Sequence, residues 1–220
     1  MSIGHLLAVL ATTGALSATA VAAQSPERRS IGAFVTHSMT SGSSAHGPLC
    51  PCPEAADVLA PVSVTSFELD VAWRLGGGPR WGVEYPLRVV PLALVRNNPT
   101  DAARRNPMGS GWTISPVPPR SSTAGFGIKP VGMRGWVGSE RVALQADAAG
   151  GFIHFGRPLL AANGTRFNFV AELGIGLRID IPGGGRTVVG YRWHHLSNGG
   201  FGEVNPGLNS DMLAVGFWLD

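Results

Sequence analysis

Long apolar runs are scarce in this chain of 220 residues: beyond the first two dozen positions, nothing approaches the run of about 20 apolar residues that a membrane helix needs. If a membrane is involved, the vehicle is therefore a set of strands closed into a barrel. Cysteine is equally sparse. The two present, in Cys50-Pro51-Cys52, sit in a Pro-rich stretch without the paired ligand spacing of a zinc site, and no metal is implied. After export they would either close a strained local disulfide or stay reduced; they do not carry the chemistry. Charge is low as well. Only 14% of residues are Asp, Glu, Lys or Arg and the formal net charge is +3, which with 31 Gly and 17 Pro argues against a nucleic-acid partner.

What is there suffices for one sizeable domain, since 44% of the residues are hydrophobic and the chain is not of low complexity. Leu6 to Ala23 is apolar and small, ending Val21-Ala22-Ala23 with the small residues that signal peptidase requires. Residues 1–23 are thus expected to be a signal peptide cleaved after Ala23, and 24–220 the mature domain. A retained N-terminal anchor is the alternative, because no Lys or Arg precedes the apolar run and the only basic groups there are His5 and the amino terminus.

Period-two alternation recurs through the rest of the chain, the mark of antiparallel strands. Phe67, Leu69, Val71, Trp73 and Leu75 alternate with Glu68, Asp70, Ala72 and Arg74. Phe167 through Leu177 does the same against Asn168, Val170, Glu172, Gly174, Gly176 and Arg178, as do Trp81 to Val90 and Met212 to Leu219. The second set mixes ionisable and tiny residues, which a dry sandwich core would accept only with every charge paired. A small barrel places that set in a polar lumen and turns the apolar set to lipid. The expected fold is therefore all-β, an eight-stranded antiparallel transmembrane β-barrel, with strands near 31–38, 65–75, 80–96, 122–133, 140–155, 166–180, 186–197 and 210–219. Segments 39–62 and 97–121 are long loops, the latter expected to be extracellular. A soluble secreted sandwich is the alternative; Trp73, Trp81, Trp136, Trp193 and Trp218 near strand ends resemble interface girdles and favour the barrel.

Within the strand ending at Ser197, parity puts Thr187, Val189, Tyr191, Trp193, His195 and Ser197 on one face and Gly190, Arg192 and His194 on the other. An imidazole and a hydroxyl thus become neighbours on the apolar face. In a barrel that face looks at hydrocarbon, so an active site there implies a lipid substrate. A His two residues before a Ser is by itself a weak motif, and a pair satisfied by hydrogen bonds explains it equally. Metal binding by His194 and His195 is disfavoured because adjacent strand residues point to opposite faces.

The wider pattern is more specific. His195-Leu196-Ser197-Asn198-Gly199-Gly200, then Asn205-Pro206-Gly207-Leu208-Asn209-Ser210, with Gly164-Thr165-Arg166-Phe167-Asn168-Phe169, Glu172-Leu173-Gly174-Ile175-Gly176 and Gly190-Tyr191-Arg192 upstream, resembles the outer-membrane lipid A 3-O-deacylase family of PagL type. The resemblance covers the C-terminal half well and the first half by strand pattern. It implies an eight-stranded barrel with a Ser/His/Glu triad on its outer surface, cleaving an ester-linked acyl chain of lipid A or lipopolysaccharide without a cofactor. Carried over, His195 is the general base and Ser197 the nucleophile, while Asn198, Asn205 and the turn to Gly207 stabilise the oxyanion. The family's glutamate falls on Asn209, an amide; Glu203 and Asp211 are alternative acids for that role. A non-catalytic or weakly active barrel with a lipid-binding or structural role is the other reading. The expected location is the outer membrane, with its lipid as partner, and a homodimer stays open.

Overall fold

The computed structural model describes residues 29–42, 46–47, 50–51, 62–102, 104–105, 112–113, 119–205 and 207–219. The expected signal peptide lies outside them, as do Cys52 and Pro206. Eight long strands form a closed antiparallel barrel: β1 (Arg29–Gly42), β2 (Ser63–Gly78), β3 (Trp81–Pro99), β4 (Arg120–Gly138), β5 (Val142–Phe155), β6 (Phe167–Ile181), β7 (Gly185–Ser197) and β8 (Leu208–Leu219). Each strand pairs with its sequence neighbours, and β1 closes the ring against β8, as in Ile31 opposite Leu219. No helix among the described residues is long and apolar enough to cross a membrane.

The strands outrun the expected bounds. β1 continues to Gly42 through a bulge between Ser38 and Thr40, and β3 to Pro99 through three irregularities against β4, because an extra residue lets the ladder resume after a break in alternation. The two expected long loops also hold short pairings, His46–Gly47 with Cys50–Pro51 and Arg104–Arg105 with Trp112–Thr113. At one end of the barrel the connections are tight turns of two or three residues, after β2, β4 and β6. All the longer connections, after β1, β3, β5 and β7, gather at the other end, the asymmetry of outer-membrane barrels with short periplasmic turns.

Alternation sorts the side chains as the sequence implies. Leu69, Ile175, Leu213 and Val215 stand exposed on the outer wall, while Glu68, Asp70, Glu172 and Arg192 are buried inside. The lumen is filled by ion pairs. Arg88 Nε lies 3.1 Å from Asp70 and Nη1 3.4 Å from Glu172, and Nη2 bonds Asp147. Lys129 Nζ bridges Glu68 at 2.8 Å and Glu172 at 2.6 Å, and Arg134 joins Asp70 to Glu84. Below this network Phe34 and Trp218 meet edge to face at 4.3 Å under the guanidinium groups of Arg88, Arg134 and Arg192. Gly32 and Gly216 leave room for them: a Cβ on Gly32 would come within 2.3 Å of the Trp218 ring.

Two expectations are corrected here. The lumen is not polar throughout, since at the long-loop end Val62, Val64, Val95, Ile153, Phe155, Leu196 and Leu208 form an apolar plug with Leu159, Leu160 and Ala161. The aromatic girdle is also smaller than expected. Trp218 is fully buried inside, and Trp136 is flanked by Arg74 and Arg178, because even and odd positions of one strand cannot share a face. Trp73 and Trp81 keep the outward parity, and Trp193, though on the outer face, is only 8% exposed.

Two expected outcomes follow. Replacing Arg88 by Leu leaves three buried carboxylates short of a partner and should cost about 3–5 kcal/mol, seen as a lower temperature for conversion of the compact, unboiled gel band to the unfolded one. Asn98 accepts from Leu160 N at 2.7 Å and donates to Pro158 O at 3.0 Å, holding the plug whose Leu160 has a φ of 66°. Asn98→Ala should therefore open the 157–162 segment to added protease in intact membranes, where the parent barrel resists.

Candidate functional site on the outer wall

β7 and β8 build the site. His195 stands directly opposite Asn209 across this pair, so an outward imidazole and an outward amide meet at the barrel's long-loop end. Nδ1 of His195 lies 2.7 Å from Oδ1 of Asn209. An amide oxygen only accepts, so Nδ1 carries the proton and donates it, leaving the Nε2 lone pair free to act as a base. The expected partnership of His195 with position 209 is thus realised in geometry, with an amide in place of an acid.

Ser197 follows two residues later on the same face, half-buried like His195 and opposite Phe169 of β6. Among the described residues the imidazole bonds to Asn209, and no hydrogen bond joins it to the Ser197 hydroxyl. Such bonds are often long in unliganded sites and tighten when substrate binds. His194 points the other way, buried in the lumen with Nε2 3.8 Å from Glu172.

The loop from Ser197 to Leu208 is stitched by the amides that sequence reasoning placed around the oxyanion. Asn198 is buried; its Nδ2 donates to Val204 O at 2.6 Å, its Oδ1 accepts from Gly200 N at 2.9 Å, and its own N–H donates to Asn205 Oδ1 at 3.0 Å. Gly207 has a φ of 62°, a conformation that favours glycine, and a Cβ there would lie 3.6 Å from His195 Cε1. Its backbone therefore passes against the imidazole. Val204 and Leu208 turn inward into the apolar plug beside Leu196, which ties the loop to the barrel core.

The two alternative acids are engaged elsewhere. Asp211 accepts from the Tyr191 hydroxyl at 2.5 Å, and exposed Glu203 lies 3.5 Å from Asn163 Nδ2 across the loops. Among the described residues no group of three or more His, Cys, Asp or Glu is arranged to hold a metal ion. Sequence reasoning missed a ridge of aromatic rings beside Ser197. Phe152 stacks on Phe167 at 5.3 Å, Phe167 meets Phe169 at 5.3 Å, and Phe169 meets Phe201 at 5.7 Å. Outward parity of Phe167 and Phe169 was legible, but their joining to Phe152 and Phe201 needed the register and the loop.

No curated protein matches the chain at the sequence level. Among solved structures, the crystal structure of the outer membrane enzyme PagL is similar, with 13% identity over 87% of this chain and 99% of that chain and a TM-score of 0.48. Ail, the attachment invasion locus protein of Yersinia pestis, in complex with the heparin analogue sucrose octasulfate, has 12% identity over 89% of this chain and 100% of that chain, with a TM-score of 0.38. The outer membrane protein AlkL in lipid bilayers has 12% identity over 90% of each chain and a TM-score of 0.35. The family model of lipid A 3-O-deacylase (PagL) matches residues 66–218, from within β2 almost to the end of β8 and across every residue of the outward site. The chain is thus an outer-membrane β-barrel that belongs to the lipid A 3-O-deacylase (PagL) family.

Proposed function

We propose that this barrel removes an ester-linked acyl chain from lipid A or lipopolysaccharide at its lipid-facing surface, with Ser197 as nucleophile and His195 as general base. The observation that carries the reading is the 2.7 Å bond from His195 Nδ1–H to Asn209 on the outer wall, which supports the tautomer a base needs. Residues 1–23 would be removed on export.

As the Ser197 Oγ attacks the ester carbonyl, its proton passes to His195 Nε2, and a C–O bond forms as the carbonyl becomes an oxyanion. Backbone N–H groups around Asn205 and Gly207 are the donors proposed for that oxyanion. The buried Asn198, whose N–H and Nδ2 already donate to Asn205 Oδ1 and Val204 O, holds that turn in place. Collapse of the intermediate breaks the bond to the sugar oxygen, which takes the proton back from His195. Water, deprotonated by the same Nε2, then releases the fatty acid from Ser197. None of these steps uses a metal or cofactor. The Phe152 to Phe201 ridge gives the acyl chain an apolar surface beside Ser197.

A second reading, a weakly active or non-catalytic barrel that binds lipid, is favoured by the amide at position 209. In the best-studied serine protease, exchanging the triad acid for an amide costs about 10⁴ in rate. A fluorophosphonate probe applied to outer membranes separates the two readings. Labelling that disappears in Ser197→Ala supports the enzyme; a folded, unlabelled protein supports the lipid binder.

Ser197→Ala and His195→Ala should each abolish release of fatty acid from lipopolysaccharide, measured by mass spectrometry, whereas His194→Ala should leave most of it because that ring faces the lumen. Equal losses from both histidine variants, each heat-modifiable, would contradict the face assignment. Asn209→Ala should lower turnover, and Asn209→Glu should raise it roughly 10-fold or more by stabilising the imidazolium at a low-dielectric boundary. A silent Asn209→Ala beside a crippled Asp211→Asn or Glu203→Gln would move the third role to that acid.

A further inference from the structure

We propose that Trp193 is a positioning residue for His195, its indole face supplying part of the restraint and the imidazolium stabilisation that a carboxylate at position 209 would otherwise give. The inference rests on the reading of His195 as the base. Trp193 lies two residues before His195 on the outer face of β7, and the two rings are stacked, with centroids 5.9 Å apart and planes 12° from parallel. Asn209 meets the imidazole at its edge and Trp193 covers its face. An edge bond fixes where Nδ1 sits but leaves the ring free to swing about that bond; a stacked neighbour removes the swing. The two contacts together define both the position and the plane of the base.

Burial gives an independent sign that this ring is held for more than packing. Its neighbours of the same parity, Val189 and Tyr191, are 45% and 41% exposed, as lipid-facing residues should be, whereas Trp193 is only 8% exposed. Its Nε1–H is buried without a hydrogen-bond partner among the described residues. An unpaired buried donor is unfavourable, and a Leu or Phe at this position would avoid it. Directly opposite Trp193 stands Asp211, whose carboxylate accepts from Tyr191, so the ring is bracketed within β7 and β8.

The chemical consequence concerns the step in which Ser197 gives up its proton. His195 then becomes a cation beside an amide that has no charge to offer. The electron-rich face of an indole attracts a cation more strongly at a site away from water, and among the aromatic side chains Trp does this best. Trp193 thus favours the transition state through His195 without touching the substrate. The titratable groups around the pair are Asp211 and Tyr191 on the outer face, and His194 with Glu172 across the wall.

The test uses the full-length protein folded in detergent, with Trp193→Phe and Trp193→Leu compared with the parent on p-nitrophenyl butyrate. Trp193→Leu should lower kcat about tenfold with KM within twofold, and slow fluorophosphonate labelling in proportion. Trp193→Phe should recover most of the loss, because a stacking face is restored. A second readout does not depend on turnover: acid should quench the fluorescence of Trp193, as protonated imidazole quenches a stacked indole. This component is found by subtracting the Trp193→Phe spectrum; it should vanish in His195→Ala and persist in Asp211→Asn and His194→Gln. The proposal is overturned by a Trp193→Leu variant with unchanged kcat, by a Trp193→Phe variant as slow as Trp193→Leu, or by quenching that survives His195→Ala. If Trp193→Leu does not fold, Trp193→Phe and the quenching decide. Should the parent neither hydrolyse nor label, the deacylase reading fails by itself, and loss of quenching in His195→Ala still establishes the contact.

Discussion

An eight-stranded barrel has too narrow an interior for a water channel, so every charge on its inward face must be neutralised where it stands. This chain meets that constraint with Glu68, Asp70, Glu84, Asp147 and Glu172 facing Arg88, Lys129, Arg134, Arg186 and Arg192, all essentially buried. These five acids and five bases pair within one network, and His194 borders it with Nε2 3.8 Å from Glu172. Such a network is weak evidence for stability by itself, since buried ions must first be stripped of water. Its effect is to fill the lumen and to penalise any slip of register that would strand one partner. With the inside occupied, chemistry on a large lipid has only the outer wall available.

The outer wall at the proposed site is backed by a packed apolar layer. Leu196 sits between His195 and Ser197 in sequence and points inward, into the same apolar plug as Val204, Leu208 and the Leu159–Ala161 segment. Alternation thus anchors the site from the back: each outward reactive residue is flanked by an inward buried one. Sites supported by strands and a packed second layer hold their geometry better than sites on free loops. The loop that carries Asn198, Asn205 and Gly207 is drawn into this arrangement by Val204 and by the hydrogen bonds of Asn198.

At the proposed reacting centre, an amide stands where the family resemblance implies an acid. Asn209 has one property of that acid, a carbonyl oxygen that accepts the hydrogen bond from Nδ1–H, and lacks the other, a charge to stabilise a protonated ring. A low-dielectric surround strengthens whatever electrostatic interactions are left, so the π contribution proposed for Trp193 would count for more here than in water.

Strand number, inward and outward faces, the shared face of His195 and Ser197 and the separation of His194 from both are local consequences of a period of two, and the sequence by itself determined them. Parity also puts Asn209 on the face of Leu213 and Val215, but its seat opposite the imidazole is set by the register of β7 with β8. Tertiary structure decided the rest. Closure of β1 on β8 and the bulge near Ser38 set strand lengths that alternation cannot show. Trp218 near a strand end is not part of a girdle, because it shares the parity of Met212 and Ala214 and turns into the lumen. The apolar plug, the stitching of Asn198 to Val204, the engagement of Asp211 by Tyr191 and the joining of Phe169 to Phe201 each unite residues from separate strands or loops. Period and motif are properties of adjacent residues; contacts between distant ones depend on how the barrel closes, and that is a property of the whole chain.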